Sequence, residues 1–184
     1  YLGQIPHGTD LDLALDAMAA IHHRMPDAWL VVAGVGDGLP RLQAYAEEQG
    51  VVERVLWPGW VNPERAHVYL AAADAIVTPY RDTLINRAKC AGKVVAAMAM
   101  GKAVVTSRIG ENLSYIEHGR SGLLTEPGDA QDLAQGLMRV LEDRCWASEL
   151  GRRARQRIWE RFDWDLRVGE VERIYELARA QAAV

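Results

Sequence analysis

Residues 88–107, "AKCAGKVVAAMAMGKAVVTS", read as a helix over Ala88–Met100 followed by a strand over Lys102–Ser107. Lys89 and Lys93 are four apart, so on such a helix they share one face, and position 96 continues that stripe three residues on. Both lie near the helix start, where free N–H groups and the helix dipole attract anions. Cations there oppose the dipole, so helix stability does not explain them. A solvated polar face is one reading. A diphosphate seated at the helix start is the other.

Working outward, short apolar runs alternate with longer amphipathic ones. "AWLVVAG" (28–34), "RVLWPG" (54–59), "DAIVTP" (74–79), "KAVVTS" (102–107) and "SGLLTE" (121–126) are strand candidates, β-branched or aliphatic and ended by Gly, Pro or polar residues. Tyr1 to Gly3 reads as the tail of a further strand. Helices are predicted over Asp10–Arg24, Leu39–Gln49, Pro63–Ala72, Ala88–Met100 and Asn112–Glu117. The first takes Thr9 as N-cap, Asp10 and Asp12 in its first turn, and His22, His23 and Arg24 in its last. The adjacent histidines diverge by about 100° on a helix, which disfavours a shared metal. From Asp129 the pattern turns to helix only: Asp129–Leu141, Trp146–Arg161 and Asp163–Ala180, with Asp129 and Asp163 as N-caps. The alternation predicts an α/β, Rossmann-like, doubly wound parallel sheet over about 1–128, followed by a helical part over 129–184, in one domain.

The 184 residues suffice to bury a core, and about half are apolar. Net charge is −4, from 21 basic and 25 acidic residues well mixed along the chain. No global field therefore points to nucleic acid or an anionic membrane, and an anion site must be local. Cys90 and Cys145 stand far apart in unrelated contexts, as free, packed thiols of a reducing cytosol would. No apolar run approaches the ~20 residues of a membrane span and no signal peptide is visible, so the expected location is cytoplasmic. The chain opens without Met, on Tyr1-Leu2, as a piece of a longer protein would.

In an open parallel sheet, ligands bind outside the strands' carboxyl ends, which selects the loops 3–9, 34–38, 58–62, 79–87 and 107–112. "GVGDG" (34–38) lets backbone approach a ligand. Its spacing is not the dinucleotide fingerprint, and a tight strand-to-helix turn explains it as well.

"KVVAAMAMGKAVVTSRIGEN" together with "YIEHGRSGLLTEPGDAQDLAQGL" resembles the C-terminal domain of retaining, glycogen-synthase-like glycosyltransferases of the GT-B architecture, the glycosyl transferases group 1 family. The upstream "PDAWLVVAGVGDGLPRLQAYAEEQG", "RVLWPGWV" and "YLAAADAIVTPYRD" fit the preceding part in order, and "ERFDW" with "IY" fits the end. The resemblance implies half of a GT-B fold, binding a nucleotide-sugar donor, with the acceptor domain absent from this chain. Transfer would proceed with retention and without metal or other cofactor, cations and a helix N-terminus stabilising the departing diphosphate. It implies that Gly59, Trp60 and Val61 flank the base and that Lys89, Lys93 and Arg87 lie near the diphosphate. Gly3, Gly34 and Gly36 complete the candidate nucleotide site, with Gly36, Trp60, Arg87, Lys89 and Lys93 expected to converge on one cleft. No catalytic residue is assigned to this half, which alone should not turn over. Partners would be the nucleotide sugar and the absent half, through which any peripheral membrane association would run.

Five positions depart from the family pattern. The glutamate that binds the ribose hydroxyls is Ala96 here, and its partner eight residues earlier is Ala88. The basic pair of the first loop is Gln4 and Thr9, and the proline after the Gly-x step is Ala103. A catalytically decayed scaffold module, or a non-transferase GT-B relative, therefore stand as alternatives. The last helix should carry apolar residues meant for the absent half, at Leu166, Val168, Val171, Ile174, Tyr175 and Leu177.

Overall fold

Successive side chains of a strand point to opposite faces, so a strand buried on both must be apolar throughout. The strand β4 (Ala103–Ser107) is buried at every position. Its Val105 packs in one core cluster with Val77 and Leu123, and its Val104 in another with Ile76 and Leu124. Those partners come from β3 (Ala75–Thr78) and β5 (Leu123–Thr125), which flank β4 in parallel register. A second parallel pair is β1 (Leu30–Ala33) with β2 (Val55–Gly59). The opening segment extends it: Gly3 N–H donates to the Ala33 carbonyl and Ala33 N–H to the Tyr1 carbonyl, both at 2.9 Å. All five expected strands are present. The ladders fall into two groups rather than one, but a single core containing Ile5, Val32, Val77 and Val105 spans both. The computed structural model describes residues 1–182.

The first core is covered by α1 (Asp12–Ile21), α2 (Leu39–Glu48) and α7 (Ala130–Glu142), the second by α3 (Ala66–Ala72), α5 (Gly92–Ala99) and α8 (Arg144–Arg161). Short helices α4 (Leu84–Arg87) and α6 (Asn112–Tyr115) sit in the loops after β3 and β4. The result is a Rossmann-like sheet clad on both faces. Asp129 caps α7 through the N–H groups of Gln131 and Asp132, as predicted, while α8 begins earlier than expected because Asp143 caps it through Trp146. No helix among the described residues is long and apolar enough to cross a membrane.

Three expectations are corrected. Thr9 does not cap α1, which starts at Asp12 behind a Leu11 N-cap without a side-chain bond. Asp12 stands in the first turn as expected and Asp10 precedes the helix; both are bound to Arg81, about seventy positions away. The helix ends at Ile21, so His22 and His23 fall past its last turn; their rings stack 3.8 Å apart rather than diverging, and His22 Nδ1 lies 2.8 Å from the Ala19 carbonyl. Both cysteines are free but exposed, not packed.

The last helix, α9 (Trp164–Ala182), begins with Asp163 accepting from the Asp165 N–H. Every side chain from Trp164 to Gln181 is exposed. Its apolar positions 166, 168, 171, 174, 175 and 177 are between 43% and 67% exposed. A chain ended at Asp163 should therefore melt within about 2 °C of the intact one, since surface changes cost little. It should also lose the concentration-dependent association that an apolar stripe drives in the intact chain. Calorimetry and size-exclusion chromatography check both; a large fall in melting temperature would show that α9 packs on the core.

Candidate functional site

Three chain segments meet at the carboxyl ends of the opening strand and β3. The loop after the opening strand brings Gln4, Thr9 and Asp10; the end of β3 and the loop after it bring Thr78 and Tyr80; the link before α5 and its first turn bring Lys89 and Lys93. Between them lies a cleft of about 250 Å³. This is where a parallel α/β sheet presents its ligand site.

The helix expected over Ala88–Met100 begins only at Gly92, after a non-helical link from α4. Lys89 stands in that link, so the two lysines do not share a helix face; the bend at Cys90–Ala91 brings them to one cleft instead. The run Ala-Lys-Cys-Ala-Gly holds no capping side chain, and α5 starts with no side-chain cap. Its first turn opens to the cleft with the helix dipole; the Gly92 N–H is taken by the Cys90 carbonyl and those of Val94 and Val95 by the Ala91 carbonyl, which leaves that of Lys93.

Each lysine rests on a tyrosine and bonds a neutral partner. Lys93 Nζ donates to Tyr1 Oη at 2.5 Å and lies 4.2 Å from that ring's centroid, while Tyr1 Oη donates to the Gln4 carbonyl. Lys89 Nζ donates to Asn86 Oδ1 at 2.8 Å and lies 5.5 Å from the Tyr80 ring. Burial, and then the charge of Lys89, lower the Lys93 pKa to about 8. Burial also raises the Tyr80 phenol, with the Asp10 charge adding to it. The one carboxylate lining the cleft, Asp10, is occupied by Arg81 and Asn86. The arrangement is a partly dehydrated positive cleft at a helix start, suited to an anion.

The other candidates lie elsewhere. Arg87 ends α4 with its guanidinium bound to Asp82 at 2.5 and 2.7 Å, outside the cleft lining. Gly34 and Gly36 face the first loop rather than open space: a Cβ on Gly34 would lie 2.9 Å from the Gly3 carbonyl carbon, and one on Gly36 2.5 Å from that of Ile5. Their small size serves loop packing. Gly3 borders the cleft indirectly, a Cβ there falling 3.2 Å from Lys93 Nζ. Gly59 ends β2, Trp60 and Val61 follow it, and none of the three lines the cleft; Trp60 is 66% exposed. Ala96 is exposed on α5, one turn beyond Lys93 on the same side. The expected convergence thus holds for Lys89 and Lys93 and not for Gly36, Trp60 or Arg87. Reading the sequence missed Tyr1, Asp10, Tyr80 and Asn86. The last two lie in the loop 79–87 that the strand-end rule had marked; Tyr1 carried no local signal, and Asp10 carried only that of an acid at a helix start.

An open parallel α/β domain with helices on both faces and a basic cleft at the strand ends has a Rossmann-like architecture. The chain belongs to the glycosyl transferases group 1 family, whose sequence pattern matches residues 1–143. Among curated relatives, the uncharacterized glycosyltransferase MJ1607 of Methanocaldococcus jannaschii is 28% identical over 97% of this chain and 44% of its own. The sucrose-phosphate synthase of Thermosynechococcus elongatus superposes with a TM-score of 0.76 at 26% identity, over 94% of this chain and 44% of that one. HepE of Anabaena, solved with UDP and glucose, gives 0.77 at 22% identity, over 100% of this chain and 47% of that one. The chain thus spans less than half the length of each of these three proteins.

Proposed function

We propose that this chain is the C-terminal, donor-binding domain of a glycosyltransferase, that it holds a nucleotide sugar with its diphosphate between Lys89, Lys93 and the start of α5, and that the acceptor domain lies in the rest of the protein. The observation that carries this reading is the pair of lysines with neutral partners at an uncapped helix start, in a cleft at the strand carboxyl ends. Two positive side chains and a helix N-terminus stabilise a departing nucleoside diphosphate, the service a metal ion would otherwise provide. The transfer is read as retaining and metal-independent by family resemblance, and as cytoplasmic from the features of the sequence itself. HepE, with the same fold, was solved with UDP and glucose, which makes UDP the first ligand to titrate. Failure of UDP, GDP and ADP all to bind the 184-residue chain would overturn the reading.

A second reading, a decayed module kept for partner contacts, draws on Ala96, which cannot accept a ribose hydroxyl. A substitution separates the two. If the diphosphate sits on the lysines, Ala96→Glu, one turn along α5, should tighten the preferred nucleoside diphosphate by about tenfold, since charge-assisted bonds outweigh the carboxylate's desolvation. The gain should vanish with the 2′,3′-dideoxy analogue. Isothermal titration checks both; no gain with any nucleotide favours the decayed module.

A further inference from the structure

Asn86 is 93% buried, yet its amide touches three groups that determine its orientation completely (7% remains exposed). Nδ2 donates to Asp10 Oδ2 at 2.8 Å and to the Arg81 carbonyl at 2.9 Å, two acceptors with no hydrogen to offer. Turned over, the amide would set its oxygen against both and its NH₂ against the Lys89 ammonium. Oδ1 is therefore fixed on Lys89 Nζ, at 2.8 Å. The support behind it is equally tied. Asp10 accepts from Arg81 N at 3.0 Å and Nη1 at 3.1 Å, and Arg81 reaches Asp12 through Nη1 and Nη2 at 3.0 and 2.7 Å.

From this geometry we infer that Asn86 is a positioning residue, a neutral relay that anchors the Lys89 ammonium to the Asp10–Arg81–Asp12 network and aims it into the cleft with its charge undiminished. This rests on the cleft being a diphosphate site. The chemistry of the relay matters. A carboxylate at position 86 would hold Lys89 as an ion pair and cancel the charge that an anionic ligand needs. An amide holds the ammonium as firmly in direction and leaves the charge free. Without Asn86 the ammonium of Lys89 sweeps its rotamers, and a ligand must order it on binding.

A double-substitution cycle on the 184-residue chain tests this, with UDP, GDP and ADP titrated calorimetrically against wild type, Asn86→Ala, Lys89→Met and the double variant. Wild type should bind one of them, and Asn86→Ala should weaken it about tenfold, the scale of one charge-assisted bond left unorganised. In the Lys89→Met background the same change should cost less than about twofold, because Asn86 acts only through Lys89. A merely structural role would give equal losses in both backgrounds and would overturn the inference, as would no loss in either. If Asn86→Ala melts below the assay temperature, Asn86→Ser serves in the same cycle. Absence of nucleotide binding by well-folded wild type would instead overturn the donor-site reading itself, and the relay with it.

Discussion

Lys93→Met should raise the melting temperature of the chain by about 2–4 °C at pH 7 while weakening nucleoside diphosphate binding by about tenfold or more. The two effects share one cause. Burial, and secondarily Lys89, bring the Lys93 pKa from 10.5 to about 8. A base with a lowered folded-state pKa burdens the fold below that value, where it is charged in both states but poorly solvated in the native one. Between pH 8 and 10.5 the unfolded chain binds more protons, so stability rises with pH until the burden is gone. Methionine keeps the length and packing of the stem without the charge. Tyr1 Oη loses a donor but keeps its bond to the Gln4 carbonyl at 2.6 Å. The stability gap between variant and wild type should therefore be widest below pH 8 and close towards pH 10.5. Wild-type affinity should fall over the same rise, as Lys93 loses its proton. Calorimetry and titration at pH 7, 9 and 10 check this; a melting temperature that drops at pH 7 would mark Lys93 as a structural residue.

Gly151→Ala should destabilise the chain by about 2–3 kcal/mol, although alanine is ordinarily the better helix former by about 1 kcal/mol. Gly151 is buried in α8 where that helix crosses the turn between α5 and β4. A Cβ there would overlap the Gly101 carbonyl oxygen, with the carbonyl carbon 2.7 Å and the Lys102 carbonyl carbon 3.3 Å away. Those are backbone atoms and cannot rotate aside. The helix must lift, taking Ala154 and Ile158 from their contacts with Val94, Ala97 and Met98. Gly169→Ala in α9, where a Cβ meets nothing within 4 Å, is the control and should leave the melting temperature at or slightly above that of wild type, as better helix propensity dictates. Urea denaturation of the three proteins decides it. A Gly151→Ala midpoint at or above wild type would mean the turn yields.

What the sequence made legible was whatever is decided locally. Ile76-Val77 and Val104-Val105 announce strands buried on both faces because neighbouring β-branched residues have two cores to fill. Asp129 announces a helix start because its carboxylate reaches N–H groups two and three residues on. The errors come from partners far along the chain. Asp10 looks like a dipole-matching acid at a helix start, yet it lies before the helix and Arg81, 71 positions away, claims it along with the first-turn Asp12. Gly34 and Gly36 look like a ligand cradle, yet the backbone they admit is that of Gly3 to Ile5. Lys89 and Lys93 were marked as an anion site, and they do meet at one cleft. The uniform helix assumed for them fails because Ala, Cys and Gly give no local signal of where helix begins.

The contacts that shape the cleft also set when it comes into being. Lys93 meets Tyr1 across 92 positions, Asp10 meets Asn86 across 76, and Arg81 meets Asp12 across 69. Each closes a long loop, and chains dominated by such closures fold slowly because the entropy of closure precedes the reward. The floor of the cleft thus joins the first and middle thirds of the chain and exists only once both have docked. A chain holding β3, β4 and β5 without the docked first third would have no place for an anion. An anion that fits the cleft would therefore favour the fully docked molecule over any looser one.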